Sequence, residues 1–205
     1  MDGLLPGILL VVAAYLIGAI PWGYLVGRLY GGIDLRNVGS GGTGATNALR
    51  TMGKGASIVV LVLDFLKGML PVFAAGWLGF GGSWQAAVAV ALVAGHCWSP
   101  YIGFKGGKGV ATGAGAAIAL YPPVALVLPV VAAIIWATRY VSLGSLIGSA
   151  LASSAFMLLA AAGRVSWSAA VAVVLFSAII AWQHRGNIAR LWAGNERKFG
   201  ERATT

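Results

Sequence analysis

The feature that most constrains this chain is its alternation of long apolar runs with short glycine-rich, basic segments. The runs cover 4–26, 56–77, 84–94, 110–138, 142–162 and 165–182. A helix needs ~20 apolar residues to cross a ~30 Å hydrocarbon core. In lipid every backbone polar group must be satisfied inside the segment, so such runs read as helices. Composition agrees: 59% of residues are hydrophobic and 9% charged, where a soluble domain is about a quarter charged. Mean hydropathy is +0.87. The expected fold is an all-α, polytopic integral membrane protein with one membrane-embedded domain over 1–205. No charged stretch or cleavage site marks the first run, so it reads as a retained span and not a removed signal.

Run 110–138 decides the topology. As one helix it would measure roughly 43 Å, too long for an untilted crossing. Pro122-Pro123 favours a break, because the residue before proline avoids helical angles and proline lacks a donor. With the break there are seven transmembrane helices. Arg28, Arg36, Arg50, Lys54, Lys105, Lys108, Arg139, Arg185, Arg190, Arg197, Lys198 and Arg202 then share one side, and Arg164 alone falls on the other. Basic loops stay in the cytoplasm, so the N-terminus is expected outside and the C-terminus inside. Six spans would separate the basic tail from the first two loops. Trp22, Trp77, Trp84, Trp136, Tyr140, Trp167 and Trp182 lie near run ends, as in an interfacial aromatic belt.

Three polar segments exceed what topology requires, and seven-span parity gathers them on one face. The first is Gly39-Ser40-Gly41-Gly42-Thr43-Gly44-Ala45-Thr46-Asn47 with Arg50 beyond it. Glycines let backbone N–H groups turn inward onto an anion, and Arg50 adds a fork suited to phosphate. The second runs Gly95-His96-Cys97-Trp98-Ser99-Pro100 and then Phe104-Lys105-Gly106-Gly107-Lys108-Gly109, bringing two ammonium groups to a helix start. The third is His184-Arg185-Gly186-Asn187-Ile188-Ala189-Arg190-Leu191. In a continued helix it would put His184, Asn187, Ile188 and Leu191 near one face. Asp64 and Lys67, one turn apart inside the second run, read as an intrahelical pair supporting the site, because charges in a span pair or face a cavity.

Several classes are disfavoured. A single cysteine, Cys97, excludes an intramolecular disulfide and any multi-cysteine metal site. Asp2, Asp34 and Asp64 are too few for a metal-dependent phosphotransferase, so neither metal nor cofactor is expected. The +9 net charge, 14 Lys and Arg against 5 Asp and Glu, is scattered between apolar runs and forms no stripe for nucleic acid. An organic-phosphate transporter would also use embedded cations and glycine breaks, but near the bilayer midplane and in both halves.

Over nearly its whole length the chain resembles the bacterial PlsY family of membrane acyl-phosphate:glycerol-3-phosphate acyltransferases. The resemblance rests on the Gly-Ser-Gly…Gly-Ala-Thr-Asn…Arg loop, the Gly-His…Lys-Gly-Gly-Lys-Gly-Val-Ala-Thr loop and the His-Arg-x-Asn-Ile-x-Arg-Leu…Gly-x-Glu-x-Lys tail, in that order. It implies a seven-span enzyme of the bacterial inner membrane with a cytoplasmic site. The implied reaction transfers a fatty acyl group from acyl phosphate to the sn-1 hydroxyl of glycerol 3-phosphate, the first acylation of phospholipid synthesis. A soluble enzyme that makes acyl phosphate is the implied partner. On this reading Ser40, Lys108, His184 and Asn187 are catalytic, with His184 the side-chain candidate for general base. Gly41, Gly44, Thr46, Asn47, Arg50, His96, Lys105, Gly106, Gly107 and Arg190 bind substrate. Ser40 as a covalent nucleophile is a lesser alternative. The family pattern carries Asn where this chain has Gly42.

Overall fold

The computed structural model describes residues 3–201; Asp2 and Arg202, counted above, lie outside them. Among the described residues every regular element is helical. The first apolar run divides into α1 (Leu4–Gly18) and α2 (Trp22–Gly31), because Pro21 cannot donate to the preceding turn. Carbonyls freed at the break are bonded from elsewhere. Ser99 Oγ donates to Ala19 O (2.6 Å) and Lys67 Nζ to Ile20 O (2.8 Å). A short helix, α3 (Ala45–Met52), forms inside the first polar segment and leads through Gly53 into α4 (Lys54–Trp77). α5 (Gly82–Cys97) follows. The run from 110 breaks at the two prolines, giving α6 (Val110–Leu120), a 3-10 turn (Pro122–Leu126) and α7 (Val127–Thr138). α8 (Val141–Ala161), α9 (Trp167–Gln183) and α10 (Arg185–Trp192) complete the chain.

Three stretches are long and apolar enough to cross a membrane: Leu4–Gly31, Lys54–Trp77 and Val141–Ala161. The pair α9 and α10 qualifies as a fourth only across a 60° bend. That bend corrects the expected straight continuation past residue 183. His184 terminates α9 because its ring Nδ1 and its own N–H both engage the Ile180 carbonyl, and the chain re-enters helix in a new direction. Large apolar side chains remain exposed around the bundle, including Leu4, Leu29, Trp77, Trp136 and Leu158. Water would oppose that surface and lipid accepts it.

The core forms where α4 packs on α6, α1 on α5 and α5 on α9. Two of these contacts are reciprocal between glycines. A Cβ on Gly68 of α4 would run into Thr112 O of α6, and one on Gly115 of α6 into Phe65 O of α4. Gly18 and Gly95 do the same between α1 and α5, against Leu92 and Tyr15. Backbones therefore approach directly, which is how helices associate where lipid removes the hydrophobic drive. Gly68→Val is expected to cost about 1–3 kcal/mol of stability by forcing α4 and α6 apart, read as a lowered Tm in detergent. The contact matters for function because it sets Asp64, on α4, beside Thr112, on α6.

Candidate active site

The three polar segments converge on one cavity of ≈ 510 Å³. The first segment reaches it as a turn followed by the N-terminus of α3. Gly39 (φ 60°) and Gly41 (φ 72°) take left-handed angles that side chains resist. Asn47, buried in α3, holds the turn: its Oδ1 accepts from Ser40 N (2.9 Å), and its Nδ2 donates toward Leu35 O (2.9 Å), Val38 O (3.0 Å) and Gly42 O (2.9 Å). With its amide spent on the loop, Asn47 shapes the site and has no hydrogen left for a ligand. Ser40, Gly44, Thr46 and Arg50 line the cavity, with Arg50 Nε enclosed and unbonded. Asn47→Ala would orphan the buried Leu35 carbonyl at about 1–3 kcal/mol and release the part-buried carbonyls of Val38 and Gly42. The expected result is a lower Tm together with a raised KM for the anionic substrate, because the turn loses its shape.

The second segment folds back on the end of α5. Gly106 N donates to Cys97 O and Gly107 N to His96 O, both 3.1 Å. This turns Gly107 and Lys108 toward the cavity and leaves Lys105 exposed outside it. Gly106 serves this backbone pairing, since a Cβ there would strike His96 O. Gly41, Lys105, Gly106 and Arg190 therefore fall outside the cavity wall. Ser40, Gly44, Thr46, Asn47, Arg50, His96, Gly107, Lys108, His184 and Asn187 lie in it.

The third segment enters through the bend after α9. His184 is buried, and its Nδ1 lies 2.8 Å from Ile180 O. A carbonyl only accepts, so Nδ1 carries the hydrogen and Nε2 is the ring's free acceptor. Asn187 bridges two charges: its Oδ1 accepts from Lys108 Nζ and its Nδ2 donates to Glu196 Oε1, both at 2.5 Å. Glu196 also accepts from Ser142 Oγ (2.9 Å) and from Arg190 Nε (2.8 Å). Arg190 thus acts from behind the wall. Arg197 closes the ring, donating to Gly39 O (3.2 Å) and accepting from Arg50 Nη2 (3.3 Å) at its carbonyl. Lys108, Arg50, Arg190 and Arg197 gather around the Glu196 carboxylate, with Glu201 also near Arg50. Burial pushes Lys108 down to about 8, with Arg190, Arg50 and Arg197 adding to the shift against Glu196.

Beneath the site, Asp64 and Lys67 pair at 2.8 Å, as the one-turn spacing implies. Ser40 has neither histidine nor carboxylate hydrogen-bonded to its hydroxyl among the described residues. Sequence reasoning gave no site role to Glu196, Arg197 or Ser142, and named no residue of the apolar wall. The Gly-x-Glu-x-Lys end of the tail motif was the signal for Glu196. That wall, which includes Val62, Phe65, Leu128, Val131 and Ile135, extends from the polar end between α4, α6 and α7. A second apolar pocket adjoins it and shares Val110, Ala114, Leu128, Val131 and Ser145.

A cavity with cations at one end and an apolar wall at the other suits a ligand with a phosphate head and a hydrocarbon tail. Comparison with known proteins gives the same direction. Residues 8–194 match the family model described as Glycerol-3-phosphate acyltransferase. Glycerol-3-phosphate acyltransferase 1 of Deinococcus radiodurans is 44% identical over 98% of this chain and 99% of its own. Glycerol-3-phosphate acyltransferase of Rubrobacter xylanophilus is 45% identical over 96% of each. The crystal structure of PlsY, an integral membrane glycerol 3-phosphate acyltransferase, in its glycerol 3-phosphate form superposes with TM-score 0.86 at 41% identity, covering 95% of this chain and 96% of that one. Its lysophosphatidic acid form gives 0.84 at 38%. Matched over nearly its whole length in both sequence and fold, the chain belongs to the glycerol-3-phosphate acyltransferase family.

Proposed function

We propose that this integral membrane protein transfers a fatty acyl group from acyl phosphate to the sn-1 hydroxyl of glycerol 3-phosphate, releasing lysophosphatidate and phosphate. The observation that carries this is the single cavity with a cationic glycine-rich end and an apolar wall. The hydroxyl oxygen attacks the acyl carbon, a new ester C–O bond forms, and the acyl C–O bond to phosphate breaks. Acyl phosphate is an activated mixed anhydride, so no covalent enzyme intermediate is needed. Orientation and charge stabilisation supply the rate. In this reading Arg50, Lys108, Ser40, Thr46 and the backbone at Gly44 and Gly107 hold phosphate and oxyanion. Asn187 orients the hydroxyl, and His184 Nε2 takes its proton. Wild-type turnover by His184→Gln would remove His184 from that role.

The acyl tail lies along Val62, Phe65, Leu128 and Val131. Gly42 faces Ser40 across open space, with only Ser40 Oγ at 3.9 Å from where its Cβ would be, and its φ is not left-handed. The asparagine of the family pattern therefore fits. Gly42→Asn is expected to keep the wild-type Tm and lower KM for glycerol 3-phosphate.

The chain is read as one domain over 1–205 with seven crossings, N-terminus outside and C-terminus cytoplasmic, in a bacterial inner membrane. The break at Pro122-Pro123 and the one-sided distribution of Lys and Arg support that count. A soluble enzyme producing acyl phosphate supplies the donor. The test is to give purified protein acyl phosphate and glycerol 3-phosphate and look for lysophosphatidate, with acyl-CoA as control donor. Counterflow of glycerol phosphate in proteoliposomes, without lysophosphatidate, would instead establish a transporter.

A further inference from the structure

His96 sits at the end of α5, 6% exposed, with one edge on Asp64 and Thr112 and the other at the cavity. Thr112 Oγ1 has one hydrogen, and it goes to Asp64 O at 3.0 Å. The Thr112 oxygen must therefore accept in its 3.2 Å contact with His96 Nδ1. Asp64 Oδ1, 3.5 Å from the same Nδ1, also only accepts once Lys67 is paired with it at 2.8 Å. Both neighbours demand a hydrogen on Nδ1. In the neutral ring Nε2 then carries a lone pair. Nε2 has no protein partner among the described residues, yet it is not one of the enclosed orphan atoms. Its open face is kept clear by Gly107, where a Cβ would sit against Nε2.

A lone pair fixed in this way cannot hold a phosphate oxygen; it selects a hydroxyl donor. Building on the acyl-transfer reading above, where His184 and Asn187 take the attacking sn-1 hydroxyl, one hydroxyl of the acceptor remains. We infer that His96 Nε2 accepts a hydrogen bond from the sn-2 hydroxyl of glycerol 3-phosphate, making His96 the residue that distinguishes glycerol 3-phosphate from simpler alkyl phosphates. Thr112 and Asp64 are positioning residues that fix its tautomer, and Lys67 holds Asp64. Losing a hydroxyl from a site built to bond it leaves the site's group unpaired, which is why such sites discriminate strongly.

The probe is 3-hydroxypropyl phosphate, which keeps the sn-1-equivalent hydroxyl and the phosphate but lacks the sn-2 hydroxyl. Wild type is expected to prefer glycerol 3-phosphate about 10–100-fold in kcat/KM. His96→Asn retains an amide near Nδ1 but has nothing at Nε2, and should collapse that preference to near unity. His96→Gln can present an oxygen near the Nε2 position and should keep part of it. Gly107→Ala keeps the histidine but presses a methyl onto its Nε2 edge, and should behave like His96→Asn. A merely structural histidine would leave the substrate preference unchanged in both variants. A wild-type preference retained by His96→Asn, or absent from wild type, overturns the inference. Calorimetric binding of the two phosphates to wild type decides the matter even where variants fail to fold, since equal affinities overturn it. Absence of lysophosphatidate with any donor would instead defeat the acyl-transfer reading, and the binding comparison would still judge His96.

Discussion

Lys108→Met is expected to lower kcat/KM by about 10²–10³, the typical loss when one preorganised electrostatic donor is removed from a transition-state site. The loss is large because Lys108 is half-buried just before α6, hydrogen-bonded to Asn187, and directed into the cavity where the proposed reaction brings two phosphates together. Lys105, three residues earlier, is exposed and outside the wall, so Lys105→Met should change kcat/KM by less than about threefold. The same lysine sets a pH limb. Its ammonium is held down to about 8, chiefly by burial. Raising pH through that value removes the cation, so KM for glycerol 3-phosphate should climb between pH 7.5 and 9.5. The stability effect has the opposite sign. The folded protein gives up this proton at a lower pH than the unfolded chain, so stability gains a contribution as pH rises from about 8 toward the ordinary lysine range. An activity profile and a thermal melt across that window therefore diverge in wild type, and this divergence should vanish in Lys108→Met.

Glu196→Ala is expected to be the most destabilising change at the site, about 3–5 kcal/mol. It deletes the acceptor for Ser142, Asn187 and Arg190 at once and leaves a guanidinium beside other cations without its counter-ion. Loss of monodisperse protein in detergent would report it. Glu196→Gln preserves shape but turns a donor toward donors, so it should fold with a depressed Tm and low activity. Burial alone would raise the Glu196 carboxyl. Hydrogen bonds from Asn187, Ser142 and Arg190, with the Arg190 charge, outweigh that and hold it below the usual glutamate value. The stabilisation is thus fully present above the unfolded value near 4.5 and is lost as pH falls through the folded one. Wild type should melt earlier on acidification from pH 5 downward, and Glu196→Gln should show a flatter dependence.

Much of this was legible in the residues. Apolar runs located the helices, the proline pair marked the break between α6 and α7, and the three motifs named most of the cavity's polar wall. The misses share one cause: they depend on how groups pair across the fold. Sequence spacing reports which face a side chain takes on a straight helix, but the bend at His184 arises from competition for a single carbonyl. Asn47 looked like a ligand because asparagine offers free donors; only the positions of Leu35, Val38 and Gly42 reveal that those donors are spent. Glu196 sits in a polar tail where an acid is unremarked, until three donors converge on it. Lys105 and Lys108 look alike in sequence and are separated by which way one glycine turn faces.

The strap formed by Glu196 and Arg197 has a consequence for the making of the protein. Both residues follow every apolar run in the sequence, and yet they brace Asn187, Arg50 and the carbonyl of Gly39. During synthesis the helices can be inserted one after another while the first loop waits without its brace. Catalytic competence therefore arrives as a single late event, after the last helix is in the bilayer and the tail has been released to close over the first loop. A chain truncated just before residue 196 is expected to insert its helices and to lack activity.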